Sequence, residues 1–346
     1  MTRSWRWLAL AVGGLLALVL LIAPARAAAR APAGFQPTAF TAISDSSWWV
    51  LGSSPCGKQR CAAIVRSEDG GRTFTAVAAP PLRAPEGGPE DQIRFADASN
   101  GYLFGSQLWV THDGARTWQR VNLGGSVASL EPGIGYVYAI VDHAGSSRLV
   151  RAPIGSDDWT TIYTPAKESF LESVWVHGDD VLVNREGPRA LWLLVSHNQG
   201  ASFAAYKAPP AVACFPQEQS QGTIWLPCAT GMMSGIWRST DGGRTFAAAG
   251  GDASRPSRSV PLMPNSMAFG SASDDVAVAG FQRLYRTTNG GQSYAPIKLP
   301  SVTEWMYIGF TDASHGVAIA QLRSGQSRLY HTTDAGASYQ YIPISA

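Results

Sequence analysis

The sequence lacks sustained helical periodicity anywhere after its first 27 residues. Its apolar residues fall instead in short runs separated by glycine-rich turns, a pattern typical of β-strands. We therefore expect an all-β protein.

Net charge is also small. The 346 residues carry 27 Lys and Arg against 25 Asp and Glu, a formal charge of +2. Residues 1–27 contribute three arginines and no acids, so the rest of the chain has a formal charge of −1. A chain with this balance offers no basic surface of the kind that binds phosphate backbones, and we expect no nucleic-acid partner.

The N-terminus carries the one long apolar run. Arg3 and Arg6 precede apolar residues 7–22, and Ala25-Arg26-Ala27 offers a small-x-small cleavage site, so residues 1–27 are predicted to be an export signal. The alternative is an uncleaved anchor, because the run approaches the ~18 to 20 residues of a spanning helix. Either way, the bulk of the chain is expected outside the cytoplasm, in the periplasm, on the cell surface or in the medium, with membrane contact only through this segment.

An eight-residue segment recurs along the chain. Residues 239–246 read Ser-Thr-Asp-Gly-Gly-Arg-Thr-Phe, and close copies occupy 67–74, 111–118, 196–203, 287–294 and 332–339. A degenerate copy ends at Trp159, and the closing aromatics then follow one another at intervals of 41 to 48 residues. A period of this size predicts a propeller or a solenoid.

Each unit contains four short strand patterns. In the second unit these are residues 91–96, 102–105, 107–110 and 117–121. Seven units of about 46 residues fill the chain after the signal and leave no room for a second domain. We predict a seven-bladed β-propeller of four-stranded antiparallel blades over residues 38–346, preceded by a lead-in at 28–37, and expect a monomer.

The residue types of the repeated segment suit a tight turn. Ser or Thr and Asp or Asn can bond the backbone of their own turn, Gly accepts positive φ, and the closing aromatic can pack between blades. The predicted structural residues are Ser67, Asp69, Gly71, Phe74, Thr111, Asp113, Trp118, Ser196, Asn198, Gly200, Phe203, Ser239, Asp241, Gly243, Phe246, Thr287, Asn289, Gly291, Tyr294, Thr332, Asp334, Gly336 and Tyr339.

These segments resemble Asp-box, or BNR, repeats of pattern Ser-x-Asp-x-Gly-x-Thr-Trp/Phe, and the resemblance covers about residues 40 to 346. It implies a propeller in which the box joins the third and fourth strands of each blade, on the face away from the axial pocket. Sialidases, sortilin-type receptors, glucan-cleaving hydrolases and photosystem II assembly factor-like propellers share such boxes. The Phe-x-Asp-x-x-x-Gly segment ahead of the box, at 95–101 and 310–316, is most similar to the last group, which implies an assembly scaffold.

Four cysteines are available to an exported chain, where oxidation is favoured. Of the three possible pairings we favour Cys56 with Cys61 and Cys214 with Cys228, because each pair lies within one unit. A metal site is the alternative, but the two pairs lie in distant units and no histidine spacing matches a zinc pattern. We expect no metal and no cofactor.

Three features of the sequence argue against catalysis. The recurring box carboxylates are poor candidates for a catalytic acid, because two copies carry Asn at that position, at 198 and 289, and Asn cannot act as an acid. There is no Gly-x-Ser-x-Gly elbow. The resemblance would imply, for a sialidase, three arginines that bind a carboxylate and an Arg-Ile-Pro segment near the first of them, and the sequence has no such segment. Sialidases also have six blades rather than seven.

Charged residues near the starts of the innermost strands are the candidates for an axial binding pocket: Glu90, Asp91, Arg94, Glu172 and Glu304. The alternative is that they are solvated rim residues. Trp49, Trp175, Trp192 and Trp305 are candidates for a partner surface, although aromatics at strand positions more often lie in the core.

The sequence thus favours an exported, non-enzymatic binding or assembly scaffold for a protein or glycan partner. The alternative is a glycoside hydrolase, sialidase-like or glucan-cleaving, with an axial active site. Such an enzyme needs two carboxylates about 5 to 10 Å apart, for example Glu90 or Asp91 against Glu304.

Overall fold

A computed structural model describes residues 30–82, 91–220, 222–231, 233–250, 263–264, 267–300 and 302–344. The predicted signal at 1–27 and the candidate Glu90 lie outside these ranges. Within the described residues every regular element is a strand, and no helix is long and apolar enough to cross a membrane. The strands form seven antiparallel sheets, which confirms the seven-bladed propeller.

Each blade takes consecutive strands. Blade 1 holds β1 (Gln36–Ala42), β2 (Trp48–Cys56), β3 (Gln59–Ser67) and β4 (Thr75–Val77). Blade 2 holds β5 (Gln92–Phe95), β6 (Gly101–Phe104), β7 (Leu108–Thr111) and β8 (Gln119–Val121). Blade 3 holds β9 (Ser126–Pro132), β10 (Tyr136–His143), β11 (Ser146–Pro153) and β12 (Thr160–Tyr163). Blade 4 holds β13 (Phe170–His177), β14 (Asp180–Glu186), β15 (Leu191–Ser196) and β16 (Ala204–Lys207).

The second half of the ring is built in the same way, with one irregular blade. Blade 5 holds β17 (Ala213–Cys214), β18 (Gln217–Ser220), β19 (Thr223–Ala229), β20 (Met233–Ser239), β21 (Ala247–Gly250) and β22 (Met263–Pro264). Blade 6 holds β23 (Ala268–Ser271), β24 (Ala277–Gly280), β25 (Leu284–Thr287) and β26 (Ala295–Pro296). Blade 7 holds β27 (Glu304–Phe310), β28 (Gly316–Gln321), β29 (Ser327–Thr332) and β30 (Gln340–Ile342). In blade 5 the innermost strand is split, since β17 and β18 both pair with β19.

The ring closes without a shared strand among the described residues, because blades 1 and 7 are each complete from their own stretch of chain. A cluster that joins Phe40 and Trp48 of blade 1 to Val317, Ile319 and Leu329 of blade 7 packs the junction. Side-chain burial therefore holds the ends together where an exchanged strand would otherwise do so.

The antiparallel order gives the propeller two faces. The turns between first and second strands and those between third and fourth strands lie on one face, which we call the turn face. The turns between second and third strands and the segments between blades lie on the other, which we call the mouth face. The two kinds of turn on the turn face are bonded together, as when Gly290 N donates to Asp275 O at 3.0 Å.

The repeated segment forms the turn between third and fourth strands. In residues 239–246, Ser239 Oγ donates to Asp241 Oδ1 at 2.8 Å and accepts from Gly243 N at 2.9 Å. Asp241 also accepts from Thr245 N at 2.9 Å, and Gly243 has a φ of +82°. Where Asn289 replaces Asp, its Oδ1 still accepts from Ser293 N at 3.0 Å. The turn therefore needs a side-chain oxygen at this position more than it needs a charge.

The closing aromatics join each blade to the one before it. Tyr294 of blade 6 donates its hydroxyl to Ala249 O of blade 5 at 2.9 Å. Trp159 of the degenerate unit packs edge to face on Tyr102 of blade 2, with ring centroids 6.4 Å apart. This unit forms a complete blade. Its closing aromatic keeps the inter-blade contact although the polar turn residues have changed.

Both favoured disulfides are present. Cys56 and Cys61 join the tips of β2 and β3, and Cys214 and Cys228 join β17 to β19. Two disulfides indicate an oxidising environment.

Candidate functional site

The turn-face carboxylates are committed to the backbone. Hydrogen bonds from Thr117 to Asp113 and from Thr245 to Asp241 lower the pKa of each aspartate to about 2. Each carboxylate therefore stays ionised and saturated with local donors, so it is poorly suited to transfer a proton.

The centre of the ring is occupied by side chains from three blades. Arg94 Nε on β5 donates to Glu131 Oε1 on β9 at 2.8 Å, and Tyr307 on β27 interacts with both. Arg94 also donates to Ile93 O at 2.9 Å. Of the sequence candidates, Arg94 is thus engaged within the protein, and its partner Glu131 was not among them.

The other candidates lie near the starts of innermost strands. Asp91 immediately precedes β5, Glu304 begins β27, and both are partly buried. Glu172 lies on β13 and lines a cavity. Trp49 and Trp305 are buried at 0% and 1% exposure, so these two belong to the core and offer no partner surface.

The cavity at Glu172 opens on the mouth face between blades 3 and 4 and has a volume of about 500 Å³. Blade 3 contributes Ser126, Ala128 and the hairpin at 142–146, and blade 4 contributes Phe170, Leu171 and Glu172. Its size falls in the range of ligand pockets, about 300 to 1,000 Å³.

Glu172 sits at an irregularity of β13, where the register with β14 shifts between Leu171 and Ser173. Such a bulge re-aims a side chain out of the regular alternation. Its carboxylate accepts hydrogen bonds from Asn184 Nδ2 and from the Cys214 backbone N–H. Burial, with a smaller effect of the nearby Glu186 charge, raises the pKa of Glu172 to about 7.

A second carboxylate lines the same cavity. Asp142 lies near the end of β10, where it pairs with Ser126 on one side and Ser147 on the other. Burial raises the pKa of Asp142. The cavity thus contains two acids that are more easily protonated than free carboxylic acids.

Phe170, which is 38% exposed, lines the cavity, and Val212 and Phe215, which are 59% and 53% exposed, lie in the blade 5 segment around Cys214. They are half of the six large hydrophobic residues that are exposed in the described chain. Phe215 adjoins Cys214, which bonds Glu172 through its N–H and accepts from Ser173 Oγ at 2.9 Å through its carbonyl.

We call the group of Asp142, Phe170, Glu172, Val212 and Phe215 the mouth patch. The bond from the Cys214 N–H to Glu172 connects the blade 5 segment with the cavity. The sequence pointed to Glu172 alone. Asp142 was missed because its hairpin is short, although a carboxylate before a tight turn between second and third strands is a visible signal. Phe215 was missed because an aromatic beside a cysteine in a repeat unit is more often in the core.

One group on the turn face has the composition of a metal site. One ligand atom from each of Asp45, Asp312 and His315 lies within 4.8 Å of the others. Asp312 is already engaged by the backbone N–H groups of Ser314 and His315, at 2.6 and 2.7 Å, and by the His315 ring. These bonds account for the arrangement as a capped turn, and we assign it no metal.

Comparison with known proteins supports the fold. No protein-family model matches the chain, and no curated protein matches it in sequence. Among solved structures, YCF48 bound to D1 peptide is 13% identical with a TM-score of 0.58, over 88% of this chain and 96% of that one. A puromycin-hydrolysing peptidase of Mycobacterium tuberculosis is 14% identical with a TM-score of 0.63, over 92% of this chain and 57% of that one.

A third similar structure is the β-propeller domain of the Trilobed protease from Pyrococcus furiosus, described as having an open velcro topology. It is 11% identical with a TM-score of 0.55, over 89% of this chain and 98% of that one. At these identities the likeness establishes a shared fold, and these propellers include a peptide-bound protein as well as peptidases.

Proposed function

We propose that this protein is an exported, non-enzymatic binding or assembly scaffold that holds a protein partner on its mouth face. The observation that carries the proposal is the mouth patch, where exposed apolar side chains adjoin a cavity lined by carboxyl groups. Exposed apolar groups beside convergent polar ones mark interaction surfaces.

The rigid ring supports this role. Side chains of blades 2, 3 and 7 meet at the centre, and the cavity at Glu172 lies off the axis, between blades 3 and 4. Loops carried on a rigid scaffold are common places for binding residues. The peptide complex of YCF48 demonstrates that a propeller of this shape can bind a polypeptide segment.

Two further parts of the proposal concern ancestry and location. The hydrogen bonds of the repeated turns support kinship with Asp-box propellers, because the Ser or Thr hydroxyl and the Asp or Asn side chain organise every regular copy. The disulfides and the apolar N-terminal run support export.

A displayed library of random 12-residue peptides tests the scaffold. We expect selected peptides to bind wild-type protein and to lose binding when Phe170 and Phe215 are both changed to Ser. The same peptides should retain binding to a turn-face control, Arg116→Ala, since Arg116 is exposed in a repeated turn. The scaffold proposal fails if no peptide binds, or if all selected peptides bind the turn face.

A glycoside hydrolase is the second candidate, favoured by the presence of Asp142 and Glu172 in one cavity. A glycosidase uses two carboxyl groups, one of them an acid with a raised pKa, as Glu172 has. Chromogenic β-glucan and sialoside reporters test this candidate. Hydrolysis that is lost in both Asp142→Asn and Glu172→Gln would establish the enzyme and overturn the non-enzymatic scaffold.

A further inference from the structure

We infer that the segment bound at the mouth patch is cationic and apolar, an extended stretch in which a hydrophobic side chain lies beside a Lys or Arg. This inference rests on the proposed scaffold function and specifies the chemistry of its partner. The observation behind it is that Phe170 lines one cavity with the carboxyl groups of Asp142 and Glu172, while the Cys214 N–H that bonds Glu172 adjoins the exposed Phe215.

The cavity and the strands beside it carry several carboxyl groups. Glu186 adds a third carboxylate, since it pairs with Phe170 across β13 and β14 and raises the pKa of Glu172 through its charge. A cation bound here would be attracted by these carboxylates and would relieve their mutual repulsion.

Two of the five basic side chains nearby are already engaged within the protein. Arg185 donates to Tyr163 Oη at 3.1 Å and stacks over Trp192, and Arg148 donates to Leu123 O. Lys167 and Arg189 are exposed on neighbouring loops, and His143 is on the rim of the cavity. None of these five residues forms an ion pair with Glu172 within the described chain.

Exposed basic residues lie on the opposite side of the mouth face. Its exposed loop residues in blades 1, 6 and 7 include Lys58, Arg283, Lys298 and Arg323. We call the part of the mouth face that carries these four residues the basic side, as distinct from the side that carries the patch. This division offers matched control positions on the same face, and it predicts that an acidic peptide would bind away from the patch.

The apolar part of the patch is held in place before binding. The Cys214–Cys228 disulfide fixes the segment that carries Phe215, and hydrogen bonds from Val212 N to Ala229 O at 2.7 Å and from Phe215 N to Pro227 O at 3.0 Å tie it to β19. A preorganised aromatic loses little entropy on binding, which favours it as an anchor. The adjoining cavity, of about 500 Å³, can admit a side chain of the bound segment.

Binding should depend on pH. The pKa of Glu172 is raised to about 7, and a bound cation favours the ionised carboxylate. Affinity for a cationic peptide should therefore rise between pH 6 and pH 8, as Glu172 loses its proton. The flanking ionisable groups are Asp142, Glu186 and His143. A variant at Glu172 therefore measures how much of the pH dependence of binding comes from Glu172 itself.

Three fluorescein-labelled 12-residue peptides test the inference by fluorescence anisotropy on the full chain at pH 6 and pH 8. One alternates Phe or Leu with Lys or Arg, the second replaces the cations with Glu, and the third replaces the hydrophobic residues with Ser. We expect the first to bind at least about tenfold more tightly than either of the others, which corresponds to about 1.4 kcal/mol.

Variants separate the contributions. We expect Glu172→Gln to weaken the first peptide about fivefold at pH 8 and to flatten its pH dependence, and Phe215→Ser to weaken it about tenfold at both pH values. Lys298→Ala and Arg323→Ala, on the basic side, should leave its binding unchanged. Phe215 is more than half exposed, so its replacement leaves the core intact, which a thermal melt verifies.

Two results would overturn the inference. One is equal binding of the cationic and acidic peptides, and the other is binding of the cationic peptide that Glu172→Gln and Phe215→Ser both leave intact. If the acidic peptide binds and loses affinity in Lys298→Ala or Arg323→Ala, the scaffold function stands and the inferred chemistry is wrong. If neither these peptides nor any member of the random library binds the mouth face, the scaffold function itself fails.

Discussion

Nε of Arg94 lies 2.8 Å from Oε1 of Glu131, and this contact joins the innermost strands of blades 2 and 3 at the centre of the ring. The two side chains are 23% and 17% exposed, so most of their hydration is lost. Burial raises the pKa of Glu131, and the charge of Arg94 opposes that rise. The pair is therefore a largely desolvated ion pair, in which each charge depends on the other.

Removal of one partner should be costly, whereas removal of both should cost less. We expect Glu131→Gln and Arg94→Met each to lower the free energy of unfolding by about 3 kcal/mol, because the remaining charge is left buried. The double variant should be at least about 1 kcal/mol more stable than the sum of the two single losses predicts. Urea denaturation of the four proteins measures this coupling.

The surface pair Arg66 and Glu68 provides the control. Its distance is similar, 2.7 Å, but the Glu68 side chain is 72% exposed. Glu68→Gln should change stability by less than about 1 kcal/mol. An additive cycle at Arg94 and Glu131, or an equal loss at Glu68, would show that the central pair has no special role.

The repeated turns need the side-chain oxygen of Asp241 more than its charge. Asp241→Ala removes the acceptor for Thr245 N and should lower stability by about 1 kcal/mol. Asp241→Asn should cost less than half of that, since Asn289 fills the equivalent place in blade 6 with the same bond to Ser293 N. Thermal melts at pH 7 compare the two variants.

The pH dependence gives a second readout for Asp241. Its pKa is lowered to about 2, so its ionised form stabilises the fold above about pH 4 and that contribution is lost as pH falls toward 2. The difference between wild type and Asp241→Asn should shrink over this interval. A constant difference from pH 5 to pH 2 would contradict the assignment.

The repeat predicted the blades because the same residue types recur at the same structural positions of successive units. A glycine such as Gly243 has to adopt positive φ, and a closing aromatic such as Trp159 keeps its contact with the preceding blade even when the rest of the turn has changed. Both constraints are local, so a single sequence shows them.

The mouth patch could not be predicted from the repeat. Its residues come from three blades, and they meet through a β-bulge at Glu172 and a split strand beside Cys214. Neither irregularity follows from the repeat. The pair of Arg94 and Glu131 was hidden for a related reason, since contacts across the ring centre depend on the blade number and on the strand register together.

Glu218 should make the fold less stable as pH rises. It is 2% exposed, its Oε1 accepts from Gly222 N at 2.9 Å, and its Oε2 meets no donor. Burial raises its pKa to about 7, and the nearby carboxyl of Asp180, which His197 contacts at 2.8 Å, favours the protonated form further. A raised folded pKa means that stability is greatest below about pH 4.5 and declines up to about pH 7.

Glu218→Gln should remove this decline. Its amide can donate to Asp180 without a proton from solvent, so the variant should be about 1 to 3 kcal/mol more stable than wild type at pH 8, and close to wild type at pH 5. Glu168→Gln, at an exposed position, is the control and should leave the profile unchanged. Urea denaturation at both pH values measures the free energy of unfolding. If that of Glu218→Gln changes with pH as much as that of wild type, Glu218 is not the source of the decline.

The two disulfides should differ in both stability and function. Cys214 and Cys228 are 14 residues apart and Cys56 and Cys61 are 5 apart, so loop-closure entropy predicts losses of about 3 and about 2 kcal/mol when each pair is replaced by alanine. Only the first pair holds the segment with Phe215 and the N–H that bonds Glu172. The Cys214→Ala, Cys228→Ala variant should therefore also weaken the cationic peptide, whereas the Cys56→Ala, Cys61→Ala variant should bind it normally. Equal peptide binding by the two folded variants would separate the disulfide from the mouth patch, because the two changes would then differ only in their effect on the unfolded chain.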